Sequence, residues 1–248
     1  MKQIKLTKKI AKKVLETVDA GLVNGLGKAE PGKMCIEAAV CYALGLPHGD
    51  NPPCVGANVR EFKIALNDID WPSDKDRTKG MRKLAIAQLG SNEIDQVEFL
   101  KVLGFNCMTR VLPVLVENAL KVDKDNEFIK KNLKTDDLKI ALKELKSAKN
   151  FDKAKSATQK IRDIYYASAY AYAYASAYTY ASASAYTYAS ASASAYASAS
   201  AYAYAYASAY LKKNPKFFLK VLNLIAECGL DALKKLKSPG VKWLDICD

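Results

Sequence analysis

An all-α protein is predicted by three observations on this 248-residue sequence. Apolar residues recur at three- and four-residue spacing through most of the chain, and glycine, proline and capping residues punctuate that pattern about every ten to sixteen residues. A tract from Tyr165 to Tyr210 is built from Ala, Tyr, Ser and two Thr, with Ala, the best helix former, at nearly every second position. The resulting organisation is a helical domain over residues 1–150, a basic lead-in and Ala/Tyr/Ser tract over 151–211, and a C-terminal helix and tail over 212–248.

Thr7 is placed to cap the first helix, whose Ile10, Val14, Val18 and Leu22 share one face while Lys8, Lys9, Lys12 and Lys13 occupy the other. These lysines are candidate contacts for phosphates, set against the commoner role of a solvated helix face. Gly21, Gly25 and Gly27 end the helix. Residues 33–44 read as a nearly all-apolar buried helix stopped by Gly45 and Pro47, followed by a loop holding His48, Asp50, Pro52, Pro53 and Cys54.

A cysteine near a helix N-terminus has a lowered pKa, so Cys35, or Cys41 nearer the helix end, with the sole histidine, His48, forms a candidate nucleophile–base pair. About ten helical residues, roughly 15 Å, separate Cys35 from the helix end, so the loop must double back to complete it. Cys35, Cys41, His48 and Cys54 also have the spacing C-x5-C-x6-H-x5-C, which lacks the C-x2-C knuckle of structural zinc sites. The plain alternative for all six cysteines is that of small buried hydrophobes. Neither a GxGxxG nor a GxxxxGK[ST] loop occurs, and no cofactor is implied.

The segment PGKMCIEAAVCYALGLPHGDNPPC, with ALNDIDWPSD and MRKLAIAQLGS after it, resembles uncharacterised proteins of bacteriophage and bacterial genomes over residues 31 to about 90. The resemblance implies a shared fold and such an origin; it carries no activity and no functional residue.

Val59, Phe62, Leu66 and Ile69 form the face of a third helix, Asp70 to Ser73 turns the chain with Trp71 as a lid, and Met81, Leu84, Ala85 and Gln88 mark a fourth helix before Gly90. Ile94, Val97, Leu100 and Val102 precede an expected break at Gly104. A helix over 111–122 is expected next, with Pro113 in its first turn. Thr135 is expected to cap a helix with Leu138, Leu142 and Leu145 inward and an acidic first turn. Asn214-Pro215 starts the last long helix, and Phe218, Val221, Leu222, Ile225, Cys228, Ala232 and Leu236 form its core face. Trp243, Leu244, Ile246 and Cys247 read as a tail pinned to the core.

The tract repeats with period eight: Ser168, Ser176, Ser184, Ser192, Ser200 and Ser208, with Tyr172, Tyr180, Tyr188, Tyr196 and Tyr204 midway between them. A strand of this length would reach roughly 150 Å at about 3.3 Å per residue, without the Gly, Asn, Asp or Pro that hairpins need. Helix is favoured over stacked β-segments and over disorder, since fourteen of the fifteen tyrosines make the uncharged run too apolar for a solvated linker. A helix apolar all round wants enclosure, and at about 1.5 Å per residue it spans roughly 70 Å, which points to self-association through those five tyrosines. Ser or Tyr at every second position makes it too polar for a membrane span.

The formal charge of +12 suits non-specific nucleic acid or another acidic partner, with Lys212 and Lys213 beside the tract as further contacts. The region 121–162 is rich in Lys and carries one Arg, which argues against base-specific readout. With no secretory signal, the cysteines are expected reduced in a cytoplasm, or within a virion for a phage-encoded protein. The functional expectation is a non-enzymatic structural or interaction protein forming homo-oligomers; the alternative is a cysteine-dependent enzyme.

Overall fold

A computed structural model describes residues 5–122, 134–166 and 214–248. The described residues are all-α: nine α-helices, two 3-10 segments and one π-turn, with β pairing limited to isolated bridges of Met34 with Leu22 and with Gly27. They fall into two compact units, Met1–Phe99 with Gly229–Asp248, and Leu100–Cys228. These cuts differ from the sequence boundaries at 150 and 211 because they pass through two helices, where composition does not change. The five repeat tyrosines, Lys212 and Lys213 lie outside the described residues, as do the helix and β-stacking alternatives for the tract.

In the first unit, α1 (Lys8–Asp19) begins where Thr7 accepts from Ile10 N at 3.3 Å, a cap of the kind that contributes about 1 kcal/mol. Its buried face is Ala11, Val14, Leu15 and Val18, while Ile10 is only half-buried. α2 (Ile36–Leu44) is buried nearly all round, and Gly45 ends it in the left-handed conformation that glycine adopts without strain. α3 (Ala57–Asn67) buries Val59, Phe62 and Leu66, and Trp71 closes over its end with Nε1 donating to Leu66 O at 2.8 Å. Ser73 caps α4 (Asp74–Ala87). Arg77, buried on α4, donates to Asn67 O at 2.9 Å and pairs with Asp74, which ties α4 to the end of α3. The C-terminal 3-10 segment Pro239–Cys247 lies on α4 and α1: Ser238 Oγ donates to Ala87 O at 2.6 Å, and Trp243 and Cys247 are buried as the tail reading expects.

The second unit centres on one apolar cluster: Met108, Leu112, Val116, Leu138, Leu142, Leu145, Ala157 and Ile161, with smaller residues between. Two expectations fail in the helix leading into it. Gly104 breaks nothing, because α5 (Gln96–Asn106) runs through it and continues by a π-turn (Cys107–Val111) into α6 (Leu112–Val122). Buried surroundings outweigh the roughly 1 kcal/mol that glycine costs a helix. Pro113 has no N–H and its ring crowds the carbonyl four residues back, and a wider π-turn is where a helix absorbs such a mismatch. Val97 faces solvent, while Phe99, Leu100, Val102 and Leu103 are buried.

The predicted Thr135 cap is also shifted. Lys134 takes the cap position without a side-chain bond, and Thr135 is the first residue of α7 (Thr135–Lys146). Leu138, Leu142 and Leu145 face inward as predicted. Asn150 caps α8 (Phe151–Tyr166), with Lys153 N donating to Asn150 Oδ1 at 3.0 Å, and α7 packs against α8. α8 carries the chain into the first two residues of the tract. α9 (Pro215–Lys235) starts as the Asn-Pro pair predicts, Phe217 N donating to Asn214 Oδ1 at 3.1 Å. Gln96–Asn118 is the one described helix long and apolar enough to cross a membrane by length and composition, yet 56% of that stretch is buried in the protein.

Candidate functional site

Around α2 the first unit places charge where the pattern predicts only hydrocarbon. Glu37, in the first turn of α2, and Lys63, on the buried face of α3, form an ion pair in which both side chains are 0% exposed. Glu37 Oε1 accepts from Lys63 Nζ, while Glu37 Oε2 has no hydrogen-bond partner. Desolvation raises the Glu37 pKa and lowers that of Lys63, and each charge works against the shift of the other. Burial therefore favours the form in which the proton sits on the carboxyl and the amine is neutral.

Three thiols share this interior. Cys35 is the cap of α2, its Sγ accepting from Ala38 N at 3.4 Å, yet burial raises its pKa, and the neighbouring Glu37 and Asp68 charges add to the rise. The lowered pKa expected of a helix N-terminus is thus overridden, because removing a thiolate from water outweighs the bonds that Ala38 and Glu37 amides offer it. Burial, then Glu37, pushes Cys41 up to about 11, and burial also raises Cys54. At neutral pH all three are thiols, and all three are buried.

His48, by contrast, is exposed. Its Nε2 lies 3.2 Å from Gly27 O, and among the described residues that is its hydrogen bond. The loop brings the ring back to the 21–34 segment. Among the described residues no group of three or more His, Cys, Asp and Glu is arranged to hold a metal ion, so Cys35, Cys41, His48 and Cys54 do not form a ligand set. The interior holds a buried carboxyl–amine pair beside three buried thiols whose pKa values burial raises.

Glu37 and Lys63 escaped the sequence reading, although the signals were present. Glu37 is the single charge in IEAAVCYAL, and Lys63 occupies the i+4 position of the face set by Val59 and Phe62.

The basic candidates on α1 are exposed but partly engaged. Lys8 pairs with Asp245, and Lys13 Nζ lies 5.7 Å from the centre of the Tyr42 ring. Lys8 and Lys12 also line an open depression of about 350 Å³ beside Glu16 and Asp19, so charge of both signs meets there. Lys9 and Lys12 carry no ion pair among the described residues. No protein family, curated protein or solved structure matches the chain.

Proposed function

We propose that this protein is a non-enzymatic structural or interaction protein that self-associates through its Ala/Tyr/Ser tract, with its helical units as folded anchors. The observation that carries the reading is where the tract enters and leaves. α8 before it and the larger part of α9 after it belong to the same unit, so the repeat is an insertion within one folded body. A linker between two bodies would need only reach, whereas this insertion repeats Tyr and Ser in register every eight residues over forty-six residues without a charge. Regular apolar surface of that kind is what identical chains bury against one another. The resemblance of residues 31–90 fits a bacterial cytoplasm or a phage particle, and the lysines offer a salt-sensitive attraction to phosphates or an acidic partner.

The test is the solution mass of nuclease-treated full-length protein, by size-exclusion chromatography with light scattering, beside a variant lacking residues 167–210. The expected result is an oligomer that becomes monomeric on deletion while keeping its helical circular dichroism. Equal masses for two folded proteins would overturn the reading.

A further inference from the structure

We propose that Cys107 and Cys228 are a dithiol site that closes reversibly into a disulfide in exchange with a low-molecular-weight disulfide. Both thiols are free, and both lie in the second unit. Cys107 opens the π-turn and Cys228 lies on α9. Two contacts hold these segments side by side independently of the sulfurs: Asn106 Nδ2 donates to the carbonyl of Cys228 itself at 3.1 Å, and Arg110 Nη2 meets Glu227 Oε2 at 3.0 Å. The residue before each cysteine, or the cysteine's own backbone, is thus already in contact across the gap. The neighbouring Cys228 thiol, ahead of burial, also raises the Cys107 pKa well above its ordinary value. A disulfide needs Cα atoms about 4.4–6.8 Å apart, so a pair of segments already held side by side is where one can close.

Exposure orders the steps. Cys107 is partly exposed, whereas Cys228 is 0% exposed. Cys107, the more accessible thiol, first loses its proton to solvent, a step its raised pKa makes slow near neutral pH, and then attacks one sulfur of the small disulfide, forming a mixed disulfide and expelling one small thiolate. Cys228, losing its proton to that leaving group or to solvent, then attacks the Cys107 sulfur and expels the second. Two protein thiols are oxidised to one disulfide, and one small disulfide is reduced to two thiols. The other four cysteines are buried. The bond would fix α9, the helix that follows the tract, to the π-turn.

The experiment incubates full-length protein in graded oxidised and reduced glutathione, blocks remaining thiols with N-ethylmaleimide, and digests with trypsin. The expected product is a cross-link between peptides 102–110 and 221–234, increasing with the oxidised fraction, abolished by dithiothreitol, and carried by protein that runs as a single chain on non-reducing gels. Recovery of both peptides alkylated at every ratio, or of Cys107 joined to glutathione alone, would overturn the proposal. So would a Cys107 cross-link to a second chain. Cys228→Ser gives a further check: it should stop the reaction at the Cys107–glutathione adduct, and an unchanged gel mobility shift in this variant would also count against the pair.

Discussion

At the residue scale, the decisive feature is a pair of charges where an apolar contact would serve packing better. Removing one partner strands the other: Lys63→Met leaves Glu37 buried alone and is expected to cost about 3–5 kcal/mol, while Glu37→Leu with Lys63→Met should recover most of it, because a matched apolar pair replaces a buried salt bridge at little loss. Urea unfolding of the two variants against the parent measures this; equal destabilisation by both would mean the pair is not the buried unit described. The pH dependence follows from the directions of the shifts. Taken alone, a carboxyl raised above 4.5 loses stability as pH rises through its interval, and an amine lowered below 10.5 loses stability as pH falls through its own. Both slopes lie inside the interval from 4.5 to 10.5: just above 4.5 the folded state keeps the Glu37 proton that the unfolded chain has lost, and below 10.5 it releases the Lys63 proton while the unfolded chain still binds it. The pair's contribution therefore falls as pH rises from 4.5 through the Glu37 range, and falls as pH drops from 10.5 through the Lys63 range, by up to about 1.4 kcal/mol per pH unit where the two proton counts differ by one. Subtracting the double variant's unfolding profile from the parent's should reveal these two limbs inside the interval from 4.5 to 10.5, and a flat difference there would contradict the shifts. The raised thiols lead to a matching expectation: Cys35, Cys41 and Cys54 should react with iodoacetamide more slowly than a free thiol near neutral pH, and a faster rate at Cys35 or Cys41 would favour the enzyme alternative.

At the scale of elements, most of the helices were legible because their signals are local. Thr7, Gly45 and Asn214-Pro215 each satisfy or end a helix through their own atoms, and each does so where spacing predicts, while Ser73, read only as part of a turn, caps α4. What was not legible depends on contacts distant in sequence. Gly104 reads as a breaker until its buried surroundings are known, and the π-turn before Pro113 has no local signature beyond the proline itself. Asn150 was a readable cap that the change in composition obscured. The seat of the C-terminal tail is of the non-local kind, and it is tight. A Cβ at Gly240 would fall inside contact distance of Ile86 O and within 2.9 Å of Leu89 O, both backbone atoms of the α4 end that cannot rotate aside. Gly240→Ala should therefore destabilise by about 1–3 kcal/mol, as overpacked sites do, with a lowered melting temperature by calorimetry. An unchanged melting temperature would show that the tail is not seated there.

At the scale of the whole molecule, a net charge of +12 acts through whichever lysines are free to meet an acidic partner. Sequence reading located the basic face of α1 but not its internal compensation, because Asp245 lies 237 positions from Lys8 and Tyr42 belongs to another helix. Those partners divide the four candidates into two pairs. Lys8 holds a carboxylate and Lys13 lies over an aromatic ring, so transfer to a phosphate would break an existing contact; Lys9 and Lys12 have no ion pair to lose among the described residues. Attraction to a polyanion therefore has unequal contributors, and salt dependence can count them, since each neutralised duplex phosphate adds about 0.9 to the slope of log K against log salt. Lys9→Gln with Lys12→Gln is expected to reduce that slope by roughly 1.8 for a random-sequence DNA duplex, and Lys8→Gln with Lys13→Gln by clearly less. Fluorescence anisotropy titrations from low to physiological salt distinguish the pairs. Equal reductions would mean that the contacts to Asp245 and Tyr42 yield to phosphate at no cost. No reduction in either double variant would move the phosphate-binding charge to lysines elsewhere on the chain.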